Sequence, residues 1–370
     1  MTQQDKLTVP GEFRVIAYDS EPFIGDHAQI DYGDPLGERS RALLEEFPVE
    51  KAVAGCATEF EGFLALKRWV RGQWNHGWSK CFSEVKDGLD ILRAVAKGEQ
   101  FCCGHYAMVL RDCATALGWP TRLVGLAIAG CEFPRDYNVG NVGHAIAEMW
   151  SNEHEKWIAM DADMNCYYAR DGVPLSALQV GQSWLSGEHE QVSVVQDQPE
   201  FVLPSGPTLE IATVGTPGLN EFDEDLCRLF FERFGRHRAI DYYARLRIGE
   251  WEWVDRRCLP TFISHFHPGA KRTWTCNADD LYWSLNKVRL SAQPAWEGEQ
   301  AALTIGLEHC MPWFHHYETR VDGGDWRPAE QTFDWPMRKG ANRLECRGVN
   351  QRQRPGIVSA IEVAYAPAIW

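Results

Sequence analysis

Three polar residues, each opening or closing an apolar stretch of a different period, constrain this chain most. Cys103 stands in CCGHYAMVL, His144 in VGHAIAEMW and Asp161 in WIAMDADMN. After Cys103, the residues Tyr106, Leu110, Cys113 and Leu117 recur at i, i+4, i+7 and i+11, a helical stripe that Gly118 and Pro120 terminate. Gly143 to Trp150 and Trp157 to Asp161 are instead short apolar runs bounded by turn-forming residues, which predicts strands. A helix start thus delivers a thiol, one strand an imidazole and the next a carboxylate. These are the parts of an activated cysteine nucleophile.

The strand pairing can be counted. If Ser151 to Lys156 is a hairpin loop, Trp150 faces Trp157, residue 146 faces 161 and residue 144 faces 163. The two-residue period of a strand then puts His144 on one face with both Asp161 and Asp163. Either carboxylate can accept from the imidazole N–H and fix its tautomer, and spacing alone does not separate them. A free thiol titrates near 8.5, and the attacking species is the thiolate. The N–H groups of a helix start and a neighbouring imidazolium both favour that anion. The Cys103 N–H also offers one oxyanion donor, a contribution of about 3 kcal/mol where such donors are well aimed.

Helical spacing over Glu38 to Glu46, Glu61 to Trp74 and Asp87 to Lys97 predicts three helices before the cysteine, with Phe63, Leu66, Trp69 and Val70 as one buried stripe. The stretch LPSGPTLEIATVGTPGLNEF, Leu203 to Phe222, concentrates Pro and Gly and predicts a domain boundary. From Leu285 the pattern is all strands, with a hairpin signal at Asp322-Gly323-Gly324-Asp325. The expected organisation is an α+β catalytic domain over residues 1–205, a linking region of mixed structure over 206–280 and an immunoglobulin-like β-sandwich over 281–370.

With these blocks in order, the chain resembles the transglutaminase-like superfamily. Cys103-Gly104-His105-Tyr106-Ala107, continuing to LRDCATALGWPTRLV, is similar to that family's nucleophile helix and the strand after it. Gly143-His144-Ala145 with Glu148 is similar to its histidine strand, and Trp157-Ile158-Ala159-Met160-Asp161 to its aspartate strand. The resemblance implies a papain-like α+β fold, Asp161 rather than Asp163 as the orienting acid, and a second oxyanion donor from upstream. For that donor the tryptophan-rich LKRWVRGQWNHGW offers the indoles of Trp69, Trp74 and Trp78. The paired CxxC zinc motifs of peptide N-glycanases are missing.

Charge narrows the partners. With 37 basic and 52 acidic residues the net charge is −15, which repels nucleic acid and anionic membranes alike. No apolar run approaches the ~18 residues of a membrane span, and the N-terminus lacks a leader pattern, so a cytoplasmic protein is expected. Its 12 cysteines show no paired framework and read as reduced. No cofactor or metal is expected: Asp161-Ala-Asp163-Met-Asn165 imitates a calcium loop but has Cys166 at position six and Gly172 at position twelve. His265, His267, His315 and His316 lack acidic or thiol partners at ligand spacing. The sequence therefore reads as a thiol-dependent enzyme that cleaves an amide through a Cys103 thioester, first a hydrolase or peptidase acting on a peptide or small-molecule amide. An amine-accepting transamidase and a catalytically inactive binding protein of the same fold are the alternatives.

Overall fold

The computed structural model describes residues 11–22, 24, 32–77, 79–81, 84–127, 143–186, 188–196, 239–243, 250–254, 262–265, 273–275, 282–297 and 300–367. Two compact units emerge: Ala28–Tyr282, and a second that joins Met1–His27 to Trp283–Trp370.

In the first unit, helices precede a sheet. Glu59–Arg71 starts where the Thr58 side chain accepts from Glu61 N at 3.1 Å, while Glu61 Oε2 accepts from Ala57 N at 2.7 Å. These bonds satisfy N–H groups that a helix start leaves open. Asp87 caps Gly88–Val95 in the same way, accepting from Asp90 N at 3.1 Å. The helix Cys103–Ala116 ends as its stripe predicts, with Gly118 at φ +81° and Trp119 N donating to Ala114 O at 2.9 Å. Of its residues from His105 onward, only Met108 is not fully buried.

That helix lies against an antiparallel sheet. By neighbouring strands the order is Thr273–Thr275, Phe262–His265, Glu250–Val254, Ala239–Tyr243, Thr121–Ala127, Gly143–Ser151, Lys156–Asp161, Cys166–Arg170 and Val173–Pro174, with Ser193–Gln196 also pairing Cys166–Arg170. The counted hairpin register is the observed one, Trp150 opposite Trp157 and Ser151 opposite Lys156. Ala147, Met149, Ile158 and Met160 enter the core shared with the helix, while Ile146, Glu148, Trp157 and Ala159 are buried on the opposite face.

Glu148 holds that opposite face together. Arg122 Nε donates to Glu148 Oε2 at 2.9 Å, and the other carboxylate oxygen accepts from Ala177 N at 2.7 Å and from the Tyr282 hydroxyl at 3.1 Å. The guanidinium lies 4.1 Å from the Trp157 ring centroid and 4.6 Å from that of Tyr282. No helix among the described residues is long and apolar enough to cross a membrane.

The second unit is a sandwich. A five-stranded sheet runs Gly11–Asp19, Ser359–Pro367, Gly340–Asn350, Phe314–Val321 and Arg327–Ala329, and a three-stranded sheet Arg289–Glu297, Gln300–Glu308 and Thr332–Pro336. Leu290, Leu303, Ile305 and Trp335 from one sheet meet Leu344, Ile361 and Val363 from the other in one core. The hairpin signal is realised by Asp322 at φ +51° and Gly323 at φ +75°, two successive left-handed residues.

The organisation differs from the expected one at the N-terminus. Gly11–Asp19 pairs antiparallel with Ser359–Pro367, so this segment belongs with the C-terminal strands and not with the domain expected over residues 1–205. Val15, Ile16 and Tyr18 are exposed, so this edge strand carries no clean apolar alternation to read. The linking region expected over 206–280 lies mostly outside the described residues.

Glu148→Ala is expected to destabilise the protein by about 3–5 kcal/mol, because it strands the buried Arg122 charge. Urea unfolding measures this, and a loss below about 1 kcal/mol would contradict the structural role given to the pair.

Candidate active site

The start of the buried helix, Cys102 to Gly104, is partly exposed. Cys102 occupies the N-cap position with extended backbone, φ −90° and ψ −176°, and His105 N donates to its carbonyl at 2.9 Å. Cys102 and Cys103 are both free thiols, each partly accessible. The Cys102 thiol is held below its ordinary proton affinity, first by the Cys103 thiol and further by the Gly104 N–H, against the opposing effects of burial and of the Asp163 charge. Two adjacent sulfurs thus stand at the helix start, where an anion is favoured.

His105, one turn along, is not a source of positive charge. Burial pushes its imidazole down to about 4, and its ring stacks on Phe101 at 4.7 Å. Its Nδ1 lies 3.6 Å from Cys102 Sγ.

His144 is the second residue of the strand Gly143–Ser151, where its backbone pairs with Leu126. Its side chain is outside the described part of the structure. Asp161 ends the antiparallel neighbour Lys156–Asp161, so the two residues lie at the same end of the sheet. Asp161 is 1% exposed, and its Oδ1 accepts from Met164 N at 2.9 Å.

The two aspartates, equivalent by counting, stand in different elements. The ladder between the histidine and aspartate strands stops at Ala147 and Met160, and Asp163 stands beyond the strand in the turn 162–165. Asn165, at φ +50°, closes that turn, and the buried Lys67 Nζ donates to its carbonyl at 2.9 Å. Asp163 therefore does not sit in a strand opposite His144. Its carboxylate is bonded by His76, whose Nδ1 lies 2.8 and 2.9 Å from the two oxygens.

Of the three indoles considered as oxyanion donors, Trp74 is committed elsewhere. It is 3% exposed, and its Nε1 donates to Phe101 O at 2.9 Å. Trp69 packs against the helical core, and Trp78 lies outside the described residues. His76 carries no helical or strand periodicity, and its only sequence signal is its place within the same tryptophan-rich stretch.

A partly open thiol at the N-terminus of an otherwise buried helix, lying on an antiparallel sheet, is an α+β arrangement consistent with the papain-like fold that the sequence resemblance implies. Residues 48–162 match the family model of the transglutaminase-like superfamily core, so the chain carries a transglutaminase-like domain. Among solved structures it is similar to red sea bream transglutaminase, at 12% identity over 97% of this chain and 77% of that one. The TM-score of that pair is 0.27, and the likeness carries no functional argument. Comparison with curated proteins gives no match.

Because His105 is neutral when folded and ordinary when unfolded, acid favours the unfolded chain. Its contribution is full above about pH 6.5 and is lost as pH falls toward about 4. Replacing it with Asn should therefore flatten the loss of stability between those pH values, by up to about 3 kcal/mol at the acid end. An unchanged pH profile of urea midpoints would contradict a buried neutral imidazole.

Proposed function

We propose that the protein is a cysteine-dependent acyl-transfer enzyme in which Cys103 is the nucleophile, His144 its acid–base partner and Asp161 the acid that orients the imidazole. The observation that carries this reading is the accessible thiol at the start of the buried helix Cys103–Ala116, inside the segment that matches the transglutaminase-like model. Cys103 Sγ attacks a carbonyl carbon as its proton passes to His144. The negative oxygen then rests against the Cys103 N–H. Collapse expels the amine with the proton from His144 and leaves a thioester. Water, deprotonated in turn by His144, releases the acid and restores the thiol.

Hydrolysis ranks ahead of transamidation because the sequence shows no acceptor-binding motif. The substrate class is a peptide or small-molecule amide, with neither nucleic acid nor membrane as partner, in keeping with the net charge of −15. We place the enzyme in the cytoplasm, since its 12 cysteines show no paired framework in the sequence.

In a Cys102→Ser background, iodoacetamide alkylation of Cys103 against pH is expected to give an apparent pKa at least about one unit below the ordinary 8.5. His144→Ala should return it to that value. An ordinary thiol profile indifferent to His144 would favour the inactive binding protein. With p-nitrophenyl acetate as acyl donor, the acetyl group should go to water even with a primary amine present, and preferential amide formation would reverse the order of the two enzyme readings. Asp161→Asn should lower turnover roughly a thousandfold while Cys103 stays accessible.

A further inference from the structure

The strand Gly11–Asp19 leaves its apolar residues open to water. Val15, Ile16 and Tyr18 are 58, 49 and 55% exposed, and Trp296, whose ring lies 5.5 Å from that of Phe13, is 39% exposed. These are four of the seven large apolar residues exposed among the described residues, so exposed apolar surface is gathered at one strand and not scattered. The strand also ends its sheet, and among the described residues its ladder is with Ser359–Pro367 on one side. The N–H and C=O groups along such an edge are a template for a further strand.

The register of the strand restricts what fits there. Arg14 and Asp19 stand opposite Ala364 and Ala360, and Val15 and Tyr18 opposite Val363 and Ile361. Alternate residues of a strand share a face, so Arg14 and Asp19 lie on one side of the sheet and Val15 and Tyr18 on the other. Residues an odd number apart ordinarily lie on opposite faces. The bulge between Val15 and Ala17 supplies the extra residue that brings each pair to one side. Val363 and Ile361 belong to the core of the sandwich, so Val15 and Tyr18 carry its apolar face out to the edge. The Tyr18 hydroxyl is anchored there, donating to Leu290 O. On the other face Arg14 is exposed, and Asp19, ion-paired to Lys287 Nζ at 2.7 Å, keeps 64% of its side chain accessible.

We propose that this edge binds a second copy of the chain, strand against antiparallel strand, about a two-fold axis at the bulge. Arg14 then faces Asp19 of the second copy and Val15 faces its Tyr18, and the symmetry makes each contact twice. The strand is complementary to itself in charge and in apolar surface in one and the same register. A bulge and charged side chains ordinarily guard an edge against pairing, and here they build the match.

The test is sedimentation velocity of the full chain between about 1 and about 200 μM. The parent is expected to shift with concentration from the 42.1 kDa of one chain toward twice that mass. Arg14→Glu sets like charges opposite each other twice per dimer, as does Asp19→Arg, and each alone should weaken association by about tenfold or more. An equimolar mixture of the two variants should associate again, because Glu at 14 of one chain then meets Arg at 19 of the other while the parent Asp19 and Arg14 meet as before. A parent that stays monomeric over the whole range, a dimer indifferent to Arg14→Glu, or a mixture that fails to associate overturns the proposal. Should Asp19→Arg not fold, Val15→Cys mixed with Tyr18→Cys decides by peptide mapping. An interchain disulfide joining position 15 to position 18 supports the register, and its absence, or a bond joining position 15 to itself, overturns it.

Discussion

Burial of the helix Cys103–Ala116 is the constraint on which the rest of the unit Ala28–Tyr282 depends. Tyr106, Val109, Leu110, Cys113 and Ala114 are all fully enclosed, and each large apolar side chain so buried contributes about 1.5–3 kcal/mol. Helices Glu59–Arg71 and Gly88–Val95 and the strand face of Ala147, Met149, Ile158 and Met160 close around it. A helix enclosed along its length can meet water only at an end. Here that end holds two thiols and the positive end of the helix dipole, which favours an anion. Packing sets which end of the helix is open before any polar interaction refines it.

The polar interactions then fix the ends of the strands. Asp161 bonds Met164 N, Lys67 bonds Asn165 O, and His76 bonds Asp163, so one five-residue turn is held by a strand end, a helix and a loop. On the far face of the sheet, Glu148 does similar work for Arg122, Ala177 and Tyr282. Such buried charges are costly without partners, and each has one here. These bonds fix the turn that follows Asp161 and the far face of the sheet.

Much of this was legible from local pattern. The helix Cys103–Ala116 shows its stripe and its Gly118 stop, and the Trp150–Trp157 register follows from a hairpin loop of recognisable composition. What escaped is what lacks a period. That Asp163 lies beyond the strand could not be counted, because the point where a ladder yields to a turn depends on three-dimensional bonds from Lys67 and His76, not on alternation. His76 lies in a loop, 87 residues from its partner, and nothing in its neighbourhood announces the pairing. Trp74 looked free to donate to an oxyanion, yet its N–H is spent on Phe101 O. The N-terminal strand was missed for a related reason, since its partner is at the other end of the chain and its own apolar residues remain exposed.

The central claim is that acyl groups pass through the sulfur of Cys103. Acid quenching of the protein during turnover of p-nitrophenyl acetate, followed by peptide mapping by mass, tests it most directly. The prediction is one acetyl group, labile to hydroxylamine as a thioester, on Cys103 of the parent protein and none in Cys103→Ala. Acetylation at another residue, or turnover that survives Cys103→Ala undiminished, would contradict it.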